Sequence, residues 1–451
     1  MNEVIYMGKI IGIVAERLWG WPTMSLFLMV GLWYTIALRG IQFRKLLSGL
    51  KCITMQERGS GISTYSALCT ALAATIGTGN IVGVATAVAA GGPGSLFWML
   101  VAAVLGMGTQ FAEGFLAVRY RPKNLDKIGG PFSYMDNALK KPWLGKAYAI
   151  ITVGAGLLGI GTITQVNSIT KSVSGLFPNG NAVLGCPVIS IVTGVLVTVM
   201  AAFVLLGGAK RVVKVCETLV PLMSCLYLFC SLTVLICRYD RIPEGVMLIL
   251  RSAFLPRAVL GAGVGIGIRR VIRMGISRGV FTNEAGMGTG AITAASSGER
   301  DPIRQGLVTM SATFIDTVVI CMITGMCLVV SGVWDQPVEG AAMTELAWNM
   351  VLPWRESLSS YLLVVCLAFF AFATIIGWSF YGERCLEYLT GGKGIRLYRV
   401  GYLLALGIGP FLSVSMVFDL ADILNALMAI PNLTALWLMR REVVAYVRNS
   451  S

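Results

Sequence analysis

Apolar runs about as long as a bilayer is thick recur along the whole chain, separated by short polar segments. They predict helices that cross a membrane. The first run, Pro22 to Leu38, is just long enough to span and is followed by Arg39, Arg44, Lys45, Lys51 and Arg58. Ten more are drawn near 66–90, 95–118, 147–169, 188–206, 218–237, 258–279, 306–330, 360–382, 398–417 and 421–439, numbered here as core spans 1 to 10. Residues 1–21 mix Lys9, Glu16 and Arg17 with apolar positions and lack a cleavable leader pattern, so a retained surface helix is expected there. The fold class is therefore an all-α polytopic membrane protein of about 11 transmembrane helices.

The loops orient this ladder. Most of the 36 Lys and Arg fall on one side, in Arg39 to Arg58, Arg119 to Lys146, Lys210 to Lys214 and Arg384 to Arg399. The positive-inside rule makes that side cytoplasmic, with Met1 external, Ser451 cytoplasmic and the acidic segment of Asp335, Glu339 and Glu345 external. A multi-pass protein of the cell membrane is expected. Composition agrees, with 56% hydrophobic residues, 13% charged residues and a mean hydropathy of +0.76. The net charge of +14 belongs to membrane loops rather than to a nucleic-acid surface. Histidine is absent, which removes His-based catalysis and the commonest zinc ligand, and the eleven cysteines include no C-x-x-C pair. Neither a cofactor nor an obligate protein partner is indicated.

One run is interrupted. From Ala73 to Gly94 the chain reads AATIGTGNIVGVATAVAAGGPG, with Gly77-Thr78-Gly79-Asn80 at mid-membrane depth. Unpaired backbone groups are costly in hydrocarbon, so a break there persists only where protein or ligand satisfies it. The freed N–H groups suit a carboxylate and the freed carbonyls suit a small cation. Core span 6 carries a second glycine cluster, Leu260 to Gly267, and the ten core spans divide five plus five with these clusters in matching positions. That is the pattern of an inverted repeat. It gives segments 1–58 (surface helix, first span and basic loop), 59–257 (first five-helix repeat), 258–439 (second repeat) and 440–451 (cytoplasmic tail). The competing reading makes the glycines packing residues only.

Several stretches then carry a resemblance, in order along the chain: ALAATIGTGNIVGVATAVAAGGPGSLFWM, GMGTQFAEGFLAVRYR, TQVNSI, SRGVFTNEAGMGTGA, QGLVTMSATFIDT, FAFATIIGWSFYGERCLEYL and FDLADILNALMAIPNL. Together they resemble the alanine or glycine:cation symporter family from about Gly59 to Met439. The resemblance implies a leucine-transporter-like five-plus-five fold with one preceding helix, and sodium- or proton-driven uptake of a small neutral amino acid. Two departures bear on mechanism. Ala373 stands beside Thr374 where the family pattern has a hydroxyl residue, and Arg269 and Arg270 follow Gly261-Ala262-Gly263.

The expected substrate site comprises Gly77, Thr78, Gly79 and Asn80, with Gln165 and Asn167 of core span 3 and Gly261, Gly263 and Gly265 of core span 6. Amides of Gly77 to Gly79 with the Thr78 hydroxyl would hold a carboxylate, and carbonyls near Gly261 to Gly265 an ammonium group. Oxygen atoms of Ala74, Gly77, Ala371 and Thr374 form the expected Na+ site. Asp316, deep in core span 7, is expected to couple the cation or to bond a neighbouring helix or a core-span-6 arginine. Glu113, Glu284 and Glu383 read as helix-end ion-pair residues, and Trp378 and Tyr381 as an interfacial belt. Symport of alanine or glycine with Na+, or with H+, is the function these features fit. A non-transporting amino-acid receptor, a channel and an intramembrane enzyme are the alternatives, and neither a repeated filter motif nor a paired catalytic motif supports the last two.

Overall fold

The structure is a computed structural model that describes residues 2–54, 62–122, 128–177, 181–183, 185–255 and 267–450. A helical hairpin opens the chain, α1 (Asn2–Leu18) and α2 (Trp21–Ala37), followed by the short α3 (Ile41–Arg44) and α4 (Leu46–Thr54). Next come α5 (Thr64–Thr75), α6 (Val82–Gly91), α7 (Gly94–Arg119), α8 (Pro131–Asn137), α9 (Pro142–Leu158), α10 (Ile163–Gly175), α11 (Val188–Leu205), α12 (Gly208–Cys237) and α13 (Ile242–Phe254). From residue 267 onward follow α14 (Ile268–Asn283), α15 (Thr289–Ser296), α16 (Pro302–Thr313), α17 (Met322–Val330), α18 (Ala341–Val351), α19 (Glu356–Thr390), α20 (Ile395–Ile408) and α21 (Val414–Asn449).

Local chemistry sets the helix starts. Ser63 caps α5 by accepting from the Ser66 amide at 3.0 Å, and Asp301 caps α16 by accepting from Ile303 N at 2.8 Å, with Pro302 in the first turn. Between α16 and α17, Phe314–Cys321 widens into a π-helix. Such widened turns concentrate at functional sites.

Polarity is arranged inside out. Large apolar side chains face outward, among them Phe203, Ile236 and Leu397, which are 71%, 70% and 76% exposed, whereas Asn80, Glu113, Glu284 and Asp316 are fully buried. A chain surrounded by water would bury the first set; one surrounded by lipid buries the second. Among the described residues seven helical paths are long and apolar enough to cross a membrane, and the bent pair α5/α6 makes an eighth. The paths expected at 22–38, 258–279 and 398–417 are absent from that set because their described helices are short: α2 has 17 residues, α14 has 16 and α20 has 14, and α14 also carries Arg269, Arg270, Arg273 and Arg278.

Core span 6 differs most from its expected course. Its glycine cluster, including Gly261, Gly263 and Gly265, lies outside the described residues. Among the described residues that follow, a helix interruption separates α14 from α15 at Glu284 to Gly288.

Candidate substrate and cation site

The first break is built from the end of α5. Ile76 leaves helical geometry, Gly77 is extended, and Thr78–Asn80 form a single tight turn before α6 departs at 60° to α5. Several of the freed groups are claimed. Asn80 N donates to Gly77 O at 3.1 Å, while Gly77 N donates to Asn80 Oδ1 at 2.9 Å. Thr78 N and Oγ1 both donate to Gln165 Oε1, at 3.3 and 3.0 Å, and Gln165 Nε2 is fixed by Ile160 O at 2.9 Å. Two side-chain oxygens thus sit on amides of this turn, in the manner of a carboxylate at a helix start.

Across from the turn, the Thr374 hydroxyl of α19 donates to Ala73 O at 3.1 Å and lies 3.5 Å from Ile76 O. The two helices meet this closely because both present glycine. A Cβ at Gly77 would collide with Thr374 Oγ1, and one at Gly377 would lie 2.6 Å from Ala74 N. Gly79 faces α14, where a Cβ would stand 3.1 Å from the Thr282 methyl and 3.2 Å from the Phe281 ring.

The second break, Asn283-Glu284-Ala285-Gly286-Met287-Gly288, requires left-handed backbone at Glu284, Gly286 and Gly288 (φ 55°, 81° and 82°). It is clasped from several helices. Asn283 Oδ1 accepts from Ala285 N (3.0 Å), Gln110 Nε2 donates to Asn283 O (3.3 Å), and Asn432 Nδ2 donates to Gly286 O (2.9 Å). Glu113 Oε1 accepts from Gly288 N (3.2 Å) and from Asn432 Nδ2 (2.8 Å), and Glu284 Oε1 accepts from Trp378 Nε1 (2.8 Å).

Asp316, in the π-helical turn, joins the two breaks. Its Oδ1 accepts from Asn80 Nδ2 at 2.7 Å and its Oδ2 from Thr317 Oγ1 at 2.6 Å; Thr317 Oγ1 in turn accepts from Asn283 Nδ2 at 3.2 Å. Arg278, the arginine of α14 nearest the break, pairs with Asp422 at 2.7 Å. Among the described residues Asp316 therefore has neutral partners.

Of the expected site, Gly77, Thr78, Gly79, Asn80, Gln165 and Thr374 come together, with Asp316 behind them. Gly77 O is occupied by Asn80 N, and the carbonyls reached by Thr374 are those of Ala73 and Ile76 rather than of Ala74 and Gly77. Asn167 points elsewhere: its Nδ2 donates to Gly409 O and Leu412 O at 3.0 and 2.8 Å, tying α10 to the turn after α20. It also lines a 630 Å³ cavity with Val82, Thr86, Arg278 and Phe418, on the side that carries Glu339 and Glu345.

Two readings of the sequence change. Among the described residues Glu113 and Glu284 make no helix-end ion pair but are buried clasps of the second break: α7 continues past Glu113 through the interior, and Glu284 lies in the break itself, where α14 ends inside the bundle. Trp378 and Tyr381 are fully buried instead of forming an interfacial belt, since α19 crosses the centre of the bundle. Glu383 does pair, with Arg399 at 2.7 Å. Sequence reading missed the clasp residues Asn283, Gly288 and Asn432; the visible signal was an Asn-Glu pair followed by two glycines two residues apart.

A family model for the sodium:alanine symporter family matches residues 4–450. The chain belongs to that family. It is 42% identical over 441 residues to an uncharacterized transporter of Haemophilus influenzae, covering 97% of this chain and 94% of that protein. It is 38% identical to the sodium/alanine symporter AgcS of Methanococcus maripaludis, covering 97% and 96%, and 31% identical to the probable sodium/glutamine symporter GlnT of Bacillus subtilis, covering 98% and 90%. The structure of MhsT in complex with L-phenylalanine matches with a TM-score of 0.60 at 14% identity, covering 85% of this chain and 90% of that one. The fold is thus leucine-transporter-like. This member of the family is a multi-pass membrane transporter and not an enzyme.

Proposed function

We propose that the protein is a symporter that carries a small neutral amino acid, alanine or glycine, inward together with Na+. The observation that carries this reading is the convergence of Ala73 O, Ile76 O and Thr374 Oγ1 one turn from the Thr78–Gln165 pair. Two backbone carbonyls and a hydroxyl are the hard oxygen donors a small monovalent cation takes. Sodium there would accept from the Thr374 oxygen after its proton turns away, with Ala371 O as a further ligand. The neighbouring Thr78 amide would exchange its long 3.3 Å bond to Gln165 for the substrate carboxylate. Asn80 holds the turn from within, and Gly77 and Gly79 keep the space small.

Coupling follows when each ligand binds one conformation better than the other. A cation on the carbonyls at the end of α5 fixes the turn whose amides bind the substrate. Each then favours the other, reciprocally.

A second reading, proton coupling, rests on Asp316: a buried carboxylate with neutral partners is balanced either by a nearby cation or by its own proton. Uptake of labelled alanine into proteoliposomes decides between them. Uptake that rises with an inward Na+ gradient at fixed pH supports the sodium assignment. Uptake that ignores Na+ and follows an inward proton gradient transfers the role to Asp316, and alanine binding without accumulation under either gradient makes the protein a receptor.

A further inference from the structure

At the ends of α2 and α21, away from the transport path, two adjoining cavities of 340 and 560 Å³ share Ala37 and Arg448. They differ in character. The smaller is a basic cup, lined by Arg39, Arg44, Lys45 and Arg448, and the larger is an apolar wall of Trp33, Ile36, Val444 and Ala445 with Arg441 at its rim. Among the described residues no Asp or Glu lines either one. Glu442, the nearest acid in sequence, turns away to accept from the Tyr120 hydroxyl. Among the described residues no carboxylate pairs with Arg39, Arg44, Lys45, Arg441 or Arg448.

We propose that this cleft binds one anionic phospholipid, its phosphate in the basic cup and an acyl chain along the Trp33–Ile36 wall. The argument is charge complementarity joined to shape. Clustered like charges repel, and a buried or half-buried counter-anion is what relieves them. The backbone itself brings them together: Arg39 takes a left-handed conformation (φ 54°) that ends α2 and begins the turn into α3, while Arg448 Nη2 donates to Ala37 O at 3.3 Å across the cleft. The wall adjoining the cup is open to the surroundings, with Ile36 68% exposed. A soluble anion has no use for that wall, whereas a phospholipid presents an anion and a hydrocarbon chain together.

The depth is right as well. Arg440 lies over the Trp437 ring at 4.0 Å and the Trp33 ring at 5.3 Å, and indoles of this kind mark the headgroup level of a bilayer. Elsewhere on the chain, Lys210 and Lys214 of α12 are exposed basic residues that line neither cavity, and they provide the control.

The test is native mass spectrometry of the purified full-length protein in detergent, titrated separately with dioleoyl phosphatidylglycerol and dioleoyl phosphatidylcholine. One saturable phosphatidylglycerol adduct is expected, with phosphatidylcholine binding weaker by about tenfold or more. Arg44→Gln/Lys45→Gln should weaken the phosphatidylglycerol adduct by a similar factor, and Lys210→Gln/Lys214→Gln should leave it unchanged. Arg441→Gln, at the other rim, is a milder second variant should the first fail to fold. Equal loss in the control pair, equal binding of both lipids, or displacement of the lipid by millimolar inorganic phosphate would overturn the proposal. The first two outcomes mean a diffuse surface field, the third a site for the free anion.

Discussion

Asn80 Nδ2 donates to Asp316 Oδ1 at 2.7 Å, linking the unwound turn after α5 to the π-helical turn after α16. Asp316→Ala leaves that buried amide without its partner, at a cost of about 1–3 kcal/mol. The expected result is a lower melting temperature and loss of uptake. Asp316→Asn preserves an acceptor oxygen while removing the charge, so it should fold normally; it should retain Na+-driven uptake and lose any proton-driven component. Wild-type melting and transport in Asp316→Ala would show that the bridge holds nothing that matters.

Thr374→Ala removes the side-chain oxygen offered to the cation and leaves the Thr78–Gln165 pair untouched. The Na+ concentration for half-maximal uptake should rise about tenfold or more, with a smaller change in the alanine KM at saturating Na+, and Thr374→Ser should behave close to wild type. An alanine KM that changes as much as the Na+ dependence would place the cation elsewhere.

On the proposed assignment the glycines of the first break set substrate size. Gly79→Ala puts a methyl group against Thr282 and Phe281, closer than ordinary contact, and Gly77→Ala drives one into Thr374. Alanine uptake should vanish in Gly77→Ala, and Gly79→Ala should carry glycine at most. In the wild type each added methylene is worth about 1–3 kcal/mol of discrimination, so leucine should not compete with alanine at equal concentration while serine does so partially. Competition by leucine, or normal alanine transport by Gly79→Ala, refutes the steric argument.

Orientation rests on the basic loops. Single cysteines at Glu339 and Lys393, both exposed, should report opposite sides. An impermeant thiol reagent added to intact cells should label the first and spare the second, in a background from which the native cysteines have been removed. The reverse pattern would put Met1 in the cytoplasm.

The buried pair Arg278–Asp422, at 2.7 Å with the Arg278 guanidinium beside the Phe281 and Phe418 rings, fastens α14 to α21. Arg278→Gln strands a buried carboxylate and should destabilise the protein by about 3–5 kcal/mol. Arg278→Met/Asp422→Leu should recover much of that loss, read by thermal unfolding in detergent. No recovery in the double variant would mean that the pair contributes more than charge balance.

Helix interruption at Gly77–Asn80 was legible because Gly-Thr-Gly-Asn puts four weak helix formers in succession inside an apolar run. The second interruption was not, although its residues were in plain view. Asn283 to Gly288 follows an arginine-rich helix, whose low hydropathy hides that its last two turns run buried into the bundle. Glu113 and Glu284 show the same limitation. Distance along the chain from Arg119 suggested an interface, whereas only the packing reveals that Gly288 N and Trp378 Nε1 await them in the interior. Thr374 was legible as an oxygen donor, but which carbonyls it meets depends on how closely Gly77 and Gly377 let α5 and α19 approach, and that is a matter of tertiary geometry.

The 60° bend places different responsibilities on the two sides of one short turn. Ala73 and Ile76 belong to the α5 side, held against α19, whereas Gly79 looks toward α14 through Thr282 and Phe281. On the proposed assignment, a mutation at Phe281 or Thr282 reshapes the room available to the cargo without touching an oxygen that meets the ion. Selection can then change what is carried while leaving what drives it alone, and a lineage of such proteins can spread across amino acids of different size on one inherited energy source.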